Sequence, residues 1–271
     1  MDSNKITELR DRTVTKANDL IQKSRFHLSL QQQKVVLYLI SQISRNDSEF
    51  KLYQFSILEF CRVCGIDTES GSIYTNLKNS LQEIANKSVW IDLGNRRHTL
   101  VRWIEKPYID ERSGVIQIRL DRDMMPYLLG LKEKYTQYEL IYTLHFKSKY
   151  TIRLYELIKS IHFHELDEYE RVFDIEELKN IMGAETYSQT RDFKSRALLP
   201  AVKEINLYSD KDLKIEEIKR GRKITHIKFR IATKKIIERL LIRRQIEKEM
   251  GMEQITIWDT LYKTGDSEKN E

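Results

Sequence analysis

Apolar residues recur at helical spacing in two separated stretches of the chain, and each stretch opens the same succession of patterns. In the first, Val36, Leu39, Ile40 and Ile43 share one face of a helix predicted over roughly Gln32 to Ser44. In the second, Leu157, Ile158 and Ile161 stand 118 positions beyond Leu39, Ile40 and Ile43, in a helix predicted over roughly Lys147 to His162. The offset holds through Phe55/Phe173, Ile57/Ile175, Glu59/Glu177, Phe60/Leu178, Val63/Ile181 and Gly65/Gly183. It then becomes 121 and aligns Leu77/Leu198, Leu81/Val202, Glu83/Glu204 and Ile84/Ile205. A small insertion in one loop explains the change, and the chain reads as a duplicated unit.

Each copy continues with a short strand, around Lys51 to Phe55 and around Arg171 to Phe173. A short helix follows, opened by Ser56-x-x-Glu59 or Asp174-x-x-Glu177 in the manner of a capping box. Gly65 and Gly183 stand where the chain must turn left-handed to leave it. A third helix is predicted from about Ser72 to Lys87 and from about Thr190 to Tyr208, and a hairpin comes next. In the second copy Leu213 to Ile218 and Ile224 to Ile231 flank a turn at Lys219, Arg220, Gly221, Arg222 and Lys223. Ile227, Phe229 and Ile231 alternate inward against outward Lys228 and Arg230. The first copy has Val89 to Leu93, a turn over Gly94, Asn95, Arg96 and Arg97, then Thr99 to Ile104. A further strand is expected over Val115 to Leu120. Helix, strand, short helix, longer helix and two-stranded wing is the order of a winged helix, whose second and third helices form a helix-turn-helix. The expected fold is α+β, two tandem winged-helix domains, over residues 1–140 and 141–271. A terminal helix is expected from Lys234 to about Met250, with a polar end beyond Tyr262.

Composition adds exclusions. Hydrophobic residues at 40% and charged residues at 32% describe a globular chain and not a disordered one. Val35 to Ile40 is about the longest apolar run and Met1 to Arg12 is polar, so neither a membrane span nor a signal peptide is expected, and the expected location is the cytoplasm. Cys61 and Cys64 form a single C-x-x-C without a second Cys/His pair to complete a zinc site. Met182 takes the place of Cys64 in the sister copy, which points to two small core residues. The glycine-rich loop of nucleotide hydrolases is absent, and no cofactor, metal or enzymatic activity is expected.

The charge is unevenly placed. The whole chain is +6, yet Ser188 to Met250 alone holds eighteen Lys/Arg against nine Asp/Glu. Concentrated positive charge suits a polyanion, because binding it releases counterions. Arg191, Lys194, Ser195 and Arg196 open the third helix of the second copy, where the macrodipole favours acids. Three cations against that preference point to a ligand, and arginine can chelate guanine O6 and N7. Lys203, Lys219, Arg220, Arg222 and Lys223 are further candidates in this copy; in the first they are Asn76, Lys78, Asn79, Arg96 and Arg97. The second domain is therefore expected to bind double-stranded DNA more strongly than the first.

His162-Phe163-His164 has the form with which rolling-circle nickases hold a metal. That chemistry needs both histidines on one face, which a strand provides and a helix does not. Tyr155-x-x-x-Lys159 lies before the trio and not after it. An ordinary winged-helix transcriptional regulator is the other alternative.

Three segments resemble the iteron-binding plasmid replication initiators of the RepB/RepE type. They are Thr15 to Ile21 with Leu28 to Lys34, then Ser148 to Lys159, then Asp192 to Asn206. The resemblance covers nearly the whole chain. It implies two winged-helix domains that bind tandem direct repeats at an origin, open AT-rich DNA nearby and engage the host replication initiator and helicase. It further implies a homodimer, formed through the first domain and in equilibrium with monomer, that represses its own gene. The recognition-helix role falls by this resemblance on Arg191, Lys194, Ser195 and Arg196.

Overall fold

The computed structural model describes residues 12–66, 72–161 and 168–250. Strand β1 (Thr13–Ala17) and helix α1 (Asn18–Gln22) lead through the short strand β2 (Ser24–Arg25) to helix α2 (Leu30–Ile40). The start of α2 is set by a capping box that periodicity alone did not disclose. The Ser29 hydroxyl accepts from the Gln32 amide at 3.3 Å, and the Gln32 side chain accepts from the Ser29 amide at 3.0 Å. The helix also stops at Ile40, short of the expected Ser44.

Strand β3 (Tyr53–Ser56) enters α3 (Ile57–Cys64), which is followed by α4 (Ile73–Asn86). Ser56 does not cap α3 with its side chain, so the expected capping box is missing there. Gly65 does leave the helix with φ +68°, and Ile66 N–H reaches Cys61 O at 2.8 Å, the closing bond of a left-handed C-cap. The wing strands β4 (Ser88–Gly94) and β5 (Arg97–Arg102) come next, joined through Asn95 and Arg96, both at positive φ. A second hairpin, β6 (Tyr108–Asp110) and β7 (Val115–Ile118), precedes α5 (Met125–Leu128), β8 (Tyr135–Glu139) and α6 (Leu140–His145).

The second copy runs α7 (Lys149–Ser160), β9 (Glu168–Asp174), α8 (Ile175–Met182), then the long helix α9 over residues 190–208. Asp174 caps α8, its carboxylate accepting from the amides of Glu176 at 2.8 Å and Glu177 at 3.1 Å. The wing is β10 (Lys211–Arg220) and β11 (Lys223–Thr233), and α10 (Ile236–Glu249) closes the described chain. Only Gly221 and Arg222 lie between the wing strands, a tighter turn than the five residues expected. Ile227, Phe229 and Ile231 are fully buried, as their alternation required.

The copies differ in how the strand before the short helix is paired. In the second, β9 joins the wing itself in the order β10-β11-β9, with Phe173 opposite Ile227. In the first, β3 pairs with the inserted hairpin instead, in the order β3-β7-β6, with Phe55 opposite Ile116. The wing there pairs with β2, in the order β2-β4-β5. The strand expected over Val115 to Leu120 ends its ladder at Ile118, and Leu120 keeps an isolated bridge to Ile104. Buried Trp103, edge-on to Phe26 at 4.8 Å, holds the chain in the core between β5 and β6.

One hydrophobic core runs through both copies, from Val14 to Ile246. At the seam between them a buried polar cluster is well satisfied. Arg153 of α7 donates to Ile21 O at 3.3 Å, Ser24 O at 3.4 Å and Ile181 O at 3.0 Å, with its guanidinium 4.3 Å from the Phe26 ring centre. Glu156, one turn on, receives Lys16 of β1 at 2.6 Å and the Tyr138 hydroxyl. Burial holds the Arg153 guanidinium down to about 10, which leaves it charged at neutral pH. At Gly183, φ +66°, an added Cβ would sit 3.3 Å from Phe26 O, so the backbones of the two copies approach closely there.

Candidate nucleic-acid interface

Helix α9 is built in three pieces. Thr190–Phe193 is α-helical, Lys194–Leu198 is a π turn, and Leu199–Tyr208 is α-helical again. The Leu199 amide reaches back to Lys194 O, one residue further than an α-helix would take it. Pro200 supplies the reason, because it brings no amide and its ring crowds the turn before it. The inserted residue rotates the opening turn against the rest of the helix.

The apolar stripe then decides which side faces out. Phe193, Ala197, Leu198, Ala201 and Ile205 are fully buried. Each large side chain among them stabilises the packing by roughly 1.5–3 kcal/mol. Cations near a helix start cost roughly 0.3–1 kcal/mol, too little to turn the helix over. Arg191, Ser195, Arg196 and Lys203 are therefore held on the exposed side. Among the described residues, Arg191, Arg196 and Lys203 form no ion pair. The Ser195 hydroxyl donates to Asp192 O at 3.4 Å.

Lys194 sits differently from its neighbours. It is half-buried, and its ammonium is bonded to the Glu217 carboxylate of β10. That bond, before any other cause, holds the Glu217 carboxyl below the usual carboxylate range. Lys219 adds a weaker contact to Glu217 at 3.6 Å. The start of the helix is thereby tied to the wing, whose tip exposes Arg220, Arg222 and Lys223 around Gly221 at φ +63°. The second-copy candidates thus form two clusters, one on the helix and one at the wing tip, joined through Glu217.

The first copy presents a thinner version. The Asn76 amide group donates to Ser72 Oγ at 3.1 Å and braces the start of α4, and Asn79 is exposed. Lys78 is exposed but ion-paired with Glu111 of the β6–β7 turn. Arg96, at φ +59°, and Arg97 are exposed at the wing tip. Beside Lys78 lies an open groove of about 590 Å³, into which Arg102 and Lys106 also project. Neither cation was singled out from the sequence, although Arg102 follows the outward parity of Leu100 opposite Trp90. Cys61 and Cys64 are buried free thiols, with burial pushing Cys61 up to about 11 and Cys64 well above the ordinary thiol value. Among the described residues no group of His, Cys, Asp or Glu is placed to hold a metal, and His162 and His164 lie outside them. No helix of the described residues is long and apolar enough to cross a membrane.

A family model described as "Initiator Replication protein, WH1" matches residues 13–159, and one described as "Initiator Rep protein, WH2" matches residues 174–231. The chain belongs to the replication initiator family. The two matches give this initiator a pair of winged-helix domains, and the second match starts at Asp174, the cap of α8. A replication initiation protein from Escherichia coli is 25% identical over 228 residues, covering 80% of this chain and 69% of that one. The crystal structure of Pi initiator protein in complex with iteron DNA superposes with a TM-score of 0.64 at 18% identity. That match covers 83% of the initiator and 99% of the Pi chain, and it shows a shared fold.

Proposed function

We propose that this initiator binds tandem repeats of double-stranded DNA, with α9 in a major groove and the β10–β11 wing against the adjoining backbone. The reading rests on one observation above all. Arg191, Ser195 and Arg196 are exposed on a helix fixed from behind by a buried apolar stripe, beside a wing tip of three exposed cations. Arginine suits base edges, and an exposed basic tip suits phosphates. The Pi relative, which shares the fold, is described in complex with iteron DNA. The first domain adds a second, less basic contact through α4 and its wing. In this reading the bound initiator opens the origin, engages the host replication initiator and helicase, and represses its own gene as a dimer.

Two modules on one repeat give a footprint of roughly two helical turns, about 20 bp, since each helix occupies one major groove. Hydroxyl-radical footprinting on a cognate repeat tests this. Protection of a single turn would confine DNA binding to one domain.

A further inference from the structure

A groove on the first domain is not used by any of the DNA-facing elements. Its volume is about 410 Å³, within the range of pockets that hold ligands or the anchoring side chains of peptides. Its floor is the outward face of the β1–β8 ribbon, where Thr13 and Gln137 are joined by a 3.0 Å hydrogen bond. The opposite face of the ribbon, with Val14 and Tyr138, is buried. Ile43 beyond α2 and Leu131 beyond α5 form apolar walls. Arg45 and Lys132 stand at the rim, both exposed, and among the described residues no carboxylate lines the groove. Among the described residues neither cation has an ion-pair partner.

We infer that this groove docks an acidic, amphipathic peptide segment of a protein partner. The apolar walls call for branched or aromatic anchors, and the rim calls for carboxylates beside them. Duplex DNA offers anions to the rim and no more, because its backbone has nothing to fill a cleft between isoleucine and leucine. A second copy of the chain fits poorly too. Pairing this face with itself about a two-fold axis would set Arg45 and Lys132 against their own copies. None of the lining residues lies on α4, α9 or either wing, so the initiator could hold DNA and this partner together.

The experiment is a selection of displayed random peptides on the full-length protein, followed by anisotropy titration of the best one, synthesised with a fluorescent label. The selected sequences should combine Leu, Ile or Phe with Asp or Glu. Replacing Arg45→Glu together with Lys132→Glu should weaken binding about tenfold or more, since two rim attractions become repulsions. Ile43→Ser should weaken it as well, and thermal melts of each variant establish that the fold is kept. Both cations are exposed, so the charge-reversed variant tests the idea even if Ile43→Ser unfolds. Peptides without acids, peptides indifferent to the charge reversal, or no enriched peptide at all would overturn the proposal. So would a charge reversal that weakened DNA binding and left the peptide alone, because the rim would then belong to the DNA interface.

Discussion

The Lys194 ammonium of helix α9 is bonded to the Glu217 carboxylate of the neighbouring wing strand. In the free protein that carboxylate stands where a phosphate could otherwise draw the lysine. If DNA binds through Lys194, as the proposed function has it, that intramolecular pair must first break, at a cost in affinity for any duplex. Glu217→Gln should therefore raise binding to scrambled DNA several-fold and steepen the salt slope by about one, as one more cation becomes available. Titration against cognate and scrambled duplexes at several salt concentrations reads both effects. The pair also has a pH signature. The Glu217 carboxyl is depressed, so its stabilisation is present above the unfolded value of about 4.3 and fades as pH falls through the lower folded value. The wild type should lose more stability than Glu217→Gln below about pH 4.

Arg191→Ala and Arg196→Ala should each cost roughly 1–3 kcal/mol of specific binding, if that arginine reads a base edge. Arg222→Ala and Lys203→Ala should weaken all sequences alike and reduce the salt slope by about one each. Lys78→Ala in the first domain should matter less, because Lys78 already has Glu111 as partner. Folded Arg191 and Arg196 variants with full discrimination would move base reading to the wing or the first domain.

The π turn of α9 gives a test that separates stability from recognition. Pro200→Ala restores an amide and removes the ring that crowds the preceding turn. The variant should melt no lower than the wild type, since alanine in a helix is favoured over proline by about 3 kcal/mol. Its discrimination between cognate and scrambled DNA should nonetheless fall, because Arg191 and Ser195 would be rotated against Lys203. Undiminished discrimination would show that the inserted residue has no part in reading DNA.

Removing Glu156 should destabilise the whole chain. Glu156→Ala leaves Lys16 and Arg153 as two uncompensated buried cations, for which a loss of about 3–5 kcal/mol is expected. Urea unfolding followed by both fluorescence and circular dichroism checks the size of the loss. It also checks that the copies unfold in one transition, as a shared core requires.

Much of the fold could be read from local pattern. The helices carry a period near 3.6 in Val36, Leu39 and Ile40, the second wing alternates at Ile227, Phe229 and Ile231, and Gly65 and Gly183 announce left-handed turns. What escaped was non-local. Nothing near Phe55 says that it will face Ile116 of an inserted hairpin while its counterpart Phe173 faces Ile227 of the wing. The candidate interface shows the same division. Exposure of Arg191 and Arg196 follows from the apolar stripe beneath them, whereas Lys194 and Glu217 are 23 positions apart and meet only when the wing folds onto the helix. The cap at Ser29 was legible in principle, since Gln32 stands three residues on, but the apolar pattern drew the helix start inward.

Arg153 has a consequence beyond stability. By clasping carbonyls at Ile21 and Ser24 on one side and at Ile181 on the other, it sets the two halves as the jaws of a caliper locked at one opening. A locked caliper measures. If both domains bind one repeat, as proposed, that repeat must present its two grooves at a single separation and on a single face of the duplex. Inserting about 5 bp between them turns one groove away, and inserting a full turn of about 10 bp restores the face but not the distance. A jointed protein would tolerate the second insertion, and this one should refuse both.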